Sequence, residues 1–251
     1  MGYWSAVMQT IKNADVVIFI LDARMPEISR NKDLEKKLKK SRKEILIVFN
    51  KIDLIPLIKL KKLKKGNKGC FFVSTLNREG IGYLRFELQK LTKSLKVEKI
   101  EVGIVGYPNV GKSALANVLT RASKAKVSSK AGTTKSPQWL GGSKIKILDS
   151  PGVIPFEDDE VKLGILGAKN PEKIKNPELV SLKIIDLFLE NTTKNLESLY
   201  KLKILKNDDS YEIFVKIGKA RKLLKKGGVV DEQRTALLII KDWQTGKLLL
   251  D

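Results

Sequence analysis

The run Gly106-Tyr107-Pro108-Asn109-Val110-Gly111-Lys112-Ser113 has the residue types and spacing of a loop that cradles phosphates. Its glycines let backbone N–H groups approach an anion closely. It follows the apolar run Ile100–Val105, which reads as a strand, and opens a helical pattern at Ala114–Leu119. The amino end of that helix adds partial positive charge. The backbone of Asn109, Val110, Gly111 and Ala114 would line the phosphates. Lys112 would reach the β- and γ-phosphates, and the Ser113 hydroxyl would bind Mg²⁺.

Three further motifs also begin where an apolar run ends. Asn50-Lys51-Ile52-Asp53 follows Ile45–Phe49. A carboxylate such as Asp53 can accept from both N1–H and the exocyclic amine of guanine, and adenine offers neither in that geometry. A pocket built to pair both groups rejects the base that lacks them. Ser74-Thr75-Leu76 follows Phe71–Val73, and its backbone N–H could meet the guanine O6. Asp149-Ser150-Pro151-Gly152 follows Ile145–Leu148. Asp149 could hold a Mg²⁺-bound water, and the Gly152 N–H could sense the γ-phosphate. Gly132-Thr133-Thr134 lies in the loop before these last residues, and Thr134 is the better candidate to complete the Mg²⁺ shell. Lys112, Thr134 and Gly152 are thus the candidates to act on the reacting phosphate. GTP and GDP are the expected ligands, with Mg²⁺.

The elements that must position these groups alternate strand and helix through residue 156. Short β-branched runs lie at Val16–Leu21, Ile45–Phe49, Phe71–Val73, Ile100–Val105 and Ile145–Leu148. Between several of them apolar residues recur every three or four positions, as in Ile81, Leu84, Leu88, Leu91 and Leu95. This alternation predicts βαβ units and a mostly parallel α/β sheet. The run from Ser136 to Leu148, broken at Gly141-Gly142, predicts a hairpin that adds one antiparallel strand. After residue 156 no strand alternation is visible. Glu178–Glu190, Tyr211–Lys225 and Asp231–Trp243 predict helices, with Asp231 as an N-cap and Gly227-Gly228 as a stop before it. The expectation is an α/β unit over 1–156 and a small all-helical unit over 157–251. In a parallel sheet the four motifs would meet at the carboxyl edge, where ligands bind in doubly wound folds.

Composition narrows the chemistry. The chain of 251 residues has no histidine, which excludes Ser-His-Asp triads, Cys-His dyads and histidine general bases. A single cysteine excludes a disulfide framework. No apolar run approaches the ~20 residues that cross a bilayer. The start, MGYWSAVMQT, lacks the layout of a secretion signal, so a cytoplasmic protein is expected. No membrane partner is expected either, and a monomer is the separate expectation for its assembly. The net charge is +21, from 49 basic and 28 acidic residues. Residues 157–251 hold 18 basic and 16 acidic residues, so nearly all the excess lies before them. It concentrates in lysine runs between Lys32 and Lys68, with a further cluster from Lys216 to Lys226. These are either solvated helix faces or faces that bind the phosphates of a polyanion.

The order of the motifs is unusual. The guanine-reading run comes first, then 74–76, then the phosphate loop, the Thr-Thr pair and Asp149–Gly152. This is the order of a circularly permuted GTPase. With Asp22-Ala23-Arg24-Met25-Pro26, Ser29-Arg30-Asn31, and the stretch from Gly227-Gly228 to Asp242-Trp243-Gln244-Thr245-Gly246, the chain resembles the YlqF/RbgA family over nearly its whole length. The resemblance implies assistance to assembly of the large ribosomal subunit, through GTP-dependent binding of its precursor and rRNA rather than DNA. Related GTPases with Asn at the position of Asn109 use it to bind K⁺ beside the phosphates, which implies a K⁺-raised, intrinsically slow rate. Several bacterial members carry a histidine before the first strand; Met1 to Ala14 contains none. The position after Gly152 is Val153, not the glutamine of Ras-like enzymes. An alternative is therefore a nucleotide-gated RNA-binding module with negligible hydrolysis.

Overall fold

The computed structural model describes residues 3–120, 138–141, 144–152, 154 and 159–250. A six-stranded sheet runs in the order β3-β2-β1-β4-β6-β5. Its strands are β1 (Val16–Asp22), β2 (Glu44–Asn50), β3 (Phe71–Phe72), β4 (Ile100–Val105), β5 (Gln138–Gly141) and β6 (Ile145–Asp149). All pairings are parallel except β5 with β6, so the predicted hairpin is present. All seven residues of the central strand β1 are buried. This is what a run of Val, Ile, Phe and Leu achieves only when both sheet faces are covered.

One face is covered by α1 (Tyr3–Asn13), α2 (Lys32–Lys40) and α3 (Leu57–Gly66). Val7, Ile11, Leu34, Leu38 and Leu60 of these helices join Val17, Phe19 and Leu21 of β1 in one apolar cluster. Asn31 starts α2 by accepting the Leu34 N–H at 2.9 Å, and Leu34 and Leu38, four apart, turn inward. The other face is covered by α4 (Ile81–Ser94) and α5 (Lys112–Thr120), through Ile81, Leu84, Leu88, Leu115 and Leu119.

Then come α6 (Glu160–Ile165), α7 (Pro177–Leu189), α8 (Lys194–Tyr200), α9 (Ser210–Ala220) and α10 (Glu232–Gln244). Ile184, Phe188, Phe214, Ile217, Ile240 and Trp243 form their own core. Asn176, Asp209 and Asp231 cap α7, α9 and α10 with their side chains. The two cores touch: Met25 and Ile28 pack against both, and Leu166 and Ala168, just past α6, lie in the core under the sheet.

Two helical expectations need correcting. The helix expected over Tyr211–Lys225 stops at Ala220. Lys222 enters the left-handed region at φ 55°, and Leu224 pairs with Val230 across a tight turn holding Gly227 and Gly228. The Lys216–Lys226 cluster is therefore part helix and part turn. Helix α1 was not anticipated, although Val7 and Ile11 recur at helical spacing. A single amphipathic pass with small and polar neighbours carries a weak signal until a sheet is there to receive it.

Candidate functional site

The strand register brings the motifs to one edge. Asp22 of β1 sits opposite Asn50 of β2, and Ile104 of β4 opposite Asp149 of β6. The chain steps from β1 to β2 and β3 on one side, while β4 and β6 lie on the other. Direction thus reverses between β1 and β4, and the loops beyond their carboxyl ends flank a crevice.

The phosphate loop joins β4 to the first turn of α5. Gly111 has φ 103°, and a Cβ there would run into the Asn50 amide, so only glycine fits. Lys112 is buried. Its ammonium turns back to donate to the carbonyls of Tyr107 at 2.6 Å and Gly106 at 3.3 Å. Burial lowers its pKa to about 8, against the opposing pull of Asp149. The Ser113 hydroxyl donates to Asp149 Oδ2 at 2.7 Å, so two of the three expected Mg²⁺ ligands already touch. Among the described residues there is no group of three or more His, Cys, Asp or Glu able to hold a metal ion. One hydroxyl and one carboxylate suit Mg²⁺, which prefers to fill its shell with phosphate oxygens and water.

Asn50 is the fastener of the site. Its Nδ2 donates to the Val110 carbonyl at 2.8 Å, and its Oδ1 accepts from the Thr75 N–H at 3.2 Å. One buried amide so ties the phosphate loop to the 74–76 loop. Ser74 is buried, and its hydroxyl accepts from the N–H groups of Leu76 and Asn77, which shapes that loop. Leu76 points out, 82% exposed. Lys51 is left-handed (φ 65°) and leads into a 3₁₀ turn over Ile52–Leu54, where Asp53 sits half-buried. Ser150 anchors the next loop by donating to the Ile104 carbonyl. Gly152 lies against the phosphate loop: a Cβ there would fall 2.5 Å from the Pro108 nitrogen. Asn50, Lys51, Asp53, Ser74, Thr75, Leu76, Asn109 to Ala114, Asp149 and Gly152 therefore occupy one edge. Thr134 lies outside the described residues.

Two groups of contacts were not anticipated. The first is ionic. Asp22 is 1% exposed and accepts from the Arg24 backbone N–H, Nε and Nη2 at 3.0, 3.1 and 2.9 Å. It also accepts from Lys51 Nζ at 2.8 Å. Burial would raise its pKa, but Arg24 and Lys51 outweigh that and hold it well below the usual carboxylate range. Burial pushes the Lys51 ammonium down, and Asp22 pulls it back up. Arg24 continues to the helical core. Its Nη1 donates to the Trp243 carbonyl at 2.8 Å, and its guanidinium lies 4.4 Å from the Trp243 ring centre.

The second group gathers around the end of α6. Trp243 Nε1 donates to the Ile165 carbonyl at 2.7 Å, and Gln244 Nε2 to those of Gly164 and Lys169 at 3.0 and 3.3 Å. The phosphate loop reaches the same turn, because Asn109 Nδ2 donates to the Gly167 carbonyl. Gly246 abuts Leu54, next to Asp53. Charged and amide residues at Asp22-Ala23-Arg24 and Asp242-Trp243-Gln244 are the only trace of this in the sequence. Their pairing across 219 positions is not.

The profile of the family described as 50S ribosome-binding GTPase matches residues 101–216. An uncharacterized GTP-binding protein of Methanocaldococcus jannaschii is 41% identical over 244 residues, covering 96% of this chain and 65% of the relative. Nucleolar GTP-binding protein 2 of Pneumocystis carinii is 36% identical, covering 98% of this chain and 52% of the relative. The chain thus spans between about half and two thirds of these relatives' length. Among solved structures, GNP-bound YlqF from T. maritima superposes with a TM-score of 0.60 at 24% identity, over 98% of this chain and 94% of that one. The GDP-bound form gives 0.63 at 25%, over 97% and 95%.

Proposed function

We propose, from fold and motif order, that this chain is a circularly permuted GTPase of the YlqF type that binds GTP, hydrolyses it to GDP and phosphate, and assists assembly of the large ribosomal subunit. The observation that carries the proposal is the Asn50 fastening. One amide holds the phosphate loop to the 74–76 loop beside Asp53, so that groups suited to guanine and to phosphate share one frame. Asp53 would pair N1–H and the exocyclic amine, and the 74–76 backbone the O6. Lys112 would leave its own loop carbonyls for the β- and γ-phosphates. Ser113 and Asp149 would hold Mg²⁺, which when bound offsets negative charge on those phosphates. Gly152, packed on Pro108 of the phosphate loop, would sense the γ-phosphate through its N–H. Asn109 would take K⁺ or the phosphate, and either would compete with its bond to Gly167. In this reading the 1–156 unit does the chemistry, and the helical unit follows it through Asn109 and Gly152.

With no histidine in the chain and Val153 after Gly152, turnover is slow by itself and rises with K⁺ and with the assembling particle. The net charge of +21 supports rRNA as the surface bound. Competition titrations test nucleotide choice: GTP and GDP should displace a labelled guanine nucleotide, and ATP should not. Asp53→Asn should cost two bonds to a charged acceptor, about 3–6 kcal/mol in all, or about 10²–10⁴ in affinity. Single-turnover hydrolysis in K⁺ and Na⁺, with and without large subunits, tests the enzyme. Rates equal in both salts would remove the K⁺ role, and no hydrolysis under any condition would leave a nucleotide-gated binder.

A further inference from the structure

We infer that the outer face of α2 and α3 is a docking surface for the phosphate backbone of double-stranded RNA, and that it works independently of the bound nucleotide. The inference rests on the ribosomal reading above and assigns a surface and a mode to it.

Helix α3 carries five lysines and no acidic residue. Lys61, Lys62, Lys64 and Lys65 are all exposed, and no ion pair to them is seen among the described residues. Like charges three and four apart disfavour a helix. The helix nevertheless forms, because Leu60 and partly buried Leu63 pack into the core it shares with α2. Beside it, Lys37 and Lys40 of α2 are also exposed, whereas Lys36 and Lys39 face Asp33 and Glu35 at 3.8 and 3.7 Å. Both helices lie on the same face of the sheet, so their free charges form one field. Such a field attracts a polyanion.

The chemistry of the face selects the occupant. Proteins that hold single strands stack bases on exposed aromatic rings. Here Trp4 and Phe72 are partly buried against the core, and Lys37 and Lys64 lie over their rings at 5.4 and 5.8 Å. The exposed aromatics Tyr83 and Phe86 belong to α4, which packs on the opposite side of the sheet. A membrane-surface helix needs a free apolar face beneath its basic one. Leu60 and Leu63 of α3 are already used on the sheet, and the exposed Leu57 and Ile58 are confined to its first turn, away from Lys61 to Lys65, so no apolar face lies beneath the basic one. A duplex, read by shape and phosphates, asks only for the lysines.

Position explains the independence. Each helix follows the carboxyl end of a strand and runs back toward the amino edge. Lys43, just past α2, donates to the Ala14 carbonyl before β1, which places that end of the layer away from the phosphate loop.

The test uses the full chain and an RNA duplex of about 20 base pairs, titrated by anisotropy from low to high salt. The variant is Lys61→Gln, Lys62→Gln, Lys64→Gln and Lys65→Gln together. The slope of log affinity against log salt should fall by about 3–4, and affinity at moderate salt by about tenfold or more. Both changes should be equal with GDP and with a non-hydrolysable GTP analogue. An unchanged slope, a loss confined to one nucleotide state, equal competition by single-stranded poly(U), or lysine-dependent binding to anionic phosphatidylserine vesicles in place of duplex would each overturn it. Guanine-nucleotide affinity, measured on the same samples, should not move, which also shows that the variant folds. Failure of the wild-type chain to bind GTP would defeat the GTPase reading and leave the slope measurement standing.

Discussion

Replacing Asp22 by Asn removes the only anion from a buried cluster of three charges. Asp22 and the Arg24 side chain are 1% and 2% exposed, and Lys51 is 18% exposed. Four donors converge on the carboxylate within 3.1 Å. Asn keeps the shape and can accept some of these bonds, but it leaves two neighbouring cations without a counter-charge. Removing one partner of a buried pair costs about 3–5 kcal/mol. For a chain of this size each kcal/mol moves the melting point by about 2–4 °C, so Asp22→Asn should melt about 6–20 °C lower. The pH dependence has a definite sign. The folded pKa of Asp22 lies below its unfolded value of roughly 3.9, so its contribution is complete above that value and fades as the pH falls through it. Wild type should therefore lose more stability than the variant below about pH 4. The double variant Asp22→Asn with Lys51→Met should recover part of the loss, because one uncompensated cation is gone. Thermal melts and urea titrations of the four proteins of this cycle decide it. A melting point for Asp22→Asn within about 2 °C of wild type, or no recovery in the double variant, would refute the reasoning.

The same frame makes further expectations measurable. With Lys112 brought to about 8 by burial, nucleotide affinity should weaken as pH rises above about 8, because binding must then restore a proton; calorimetry in two buffers would detect the uptake. Asn50→Ala leaves the Val110 carbonyl and Thr75 N–H without their partner, at about 1–3 kcal/mol each, and should lower both stability and guanine-nucleotide affinity. Gly152→Ala puts a methyl against Pro108 and should impair binding of a GTP analogue more than of GDP, as stopped-flow binding would show. Trp243→Ala removes a fully buried ring that meets Phe188 edge-on and carries Arg24. It should cost about 3–5 kcal/mol in chemical denaturation.

Much of this molecule was legible as sequence because its information is local. A phosphate loop declares itself in eight residues, since the backbone path it needs admits glycine at few places. The five parallel strands declare themselves as short β-branched runs. Capping by Asp231 needs only its own helix. Motif order alone pointed to a permuted arrangement of the strand-end loops. What sequence could not give was partnership at a distance. Asn50 read as part of a guanine motif, yet its amide is engaged by Val110 and Thr75, 60 and 25 residues away. Lys51 read as part of the guanine-reading run, and only the register of β1 against β2 sets its ammonium on Asp22. Arg24 meets Trp243 because the last helix folds back over the end of α6. Residue types and short spacings determine which chemistry is available, because backbone sterics and hydrogen bonding act over a few residues. Which charges are buried together, and which loop leans on which helix, was decided only when the two cores closed, because desolvation and packing depend on the whole surroundings of a group.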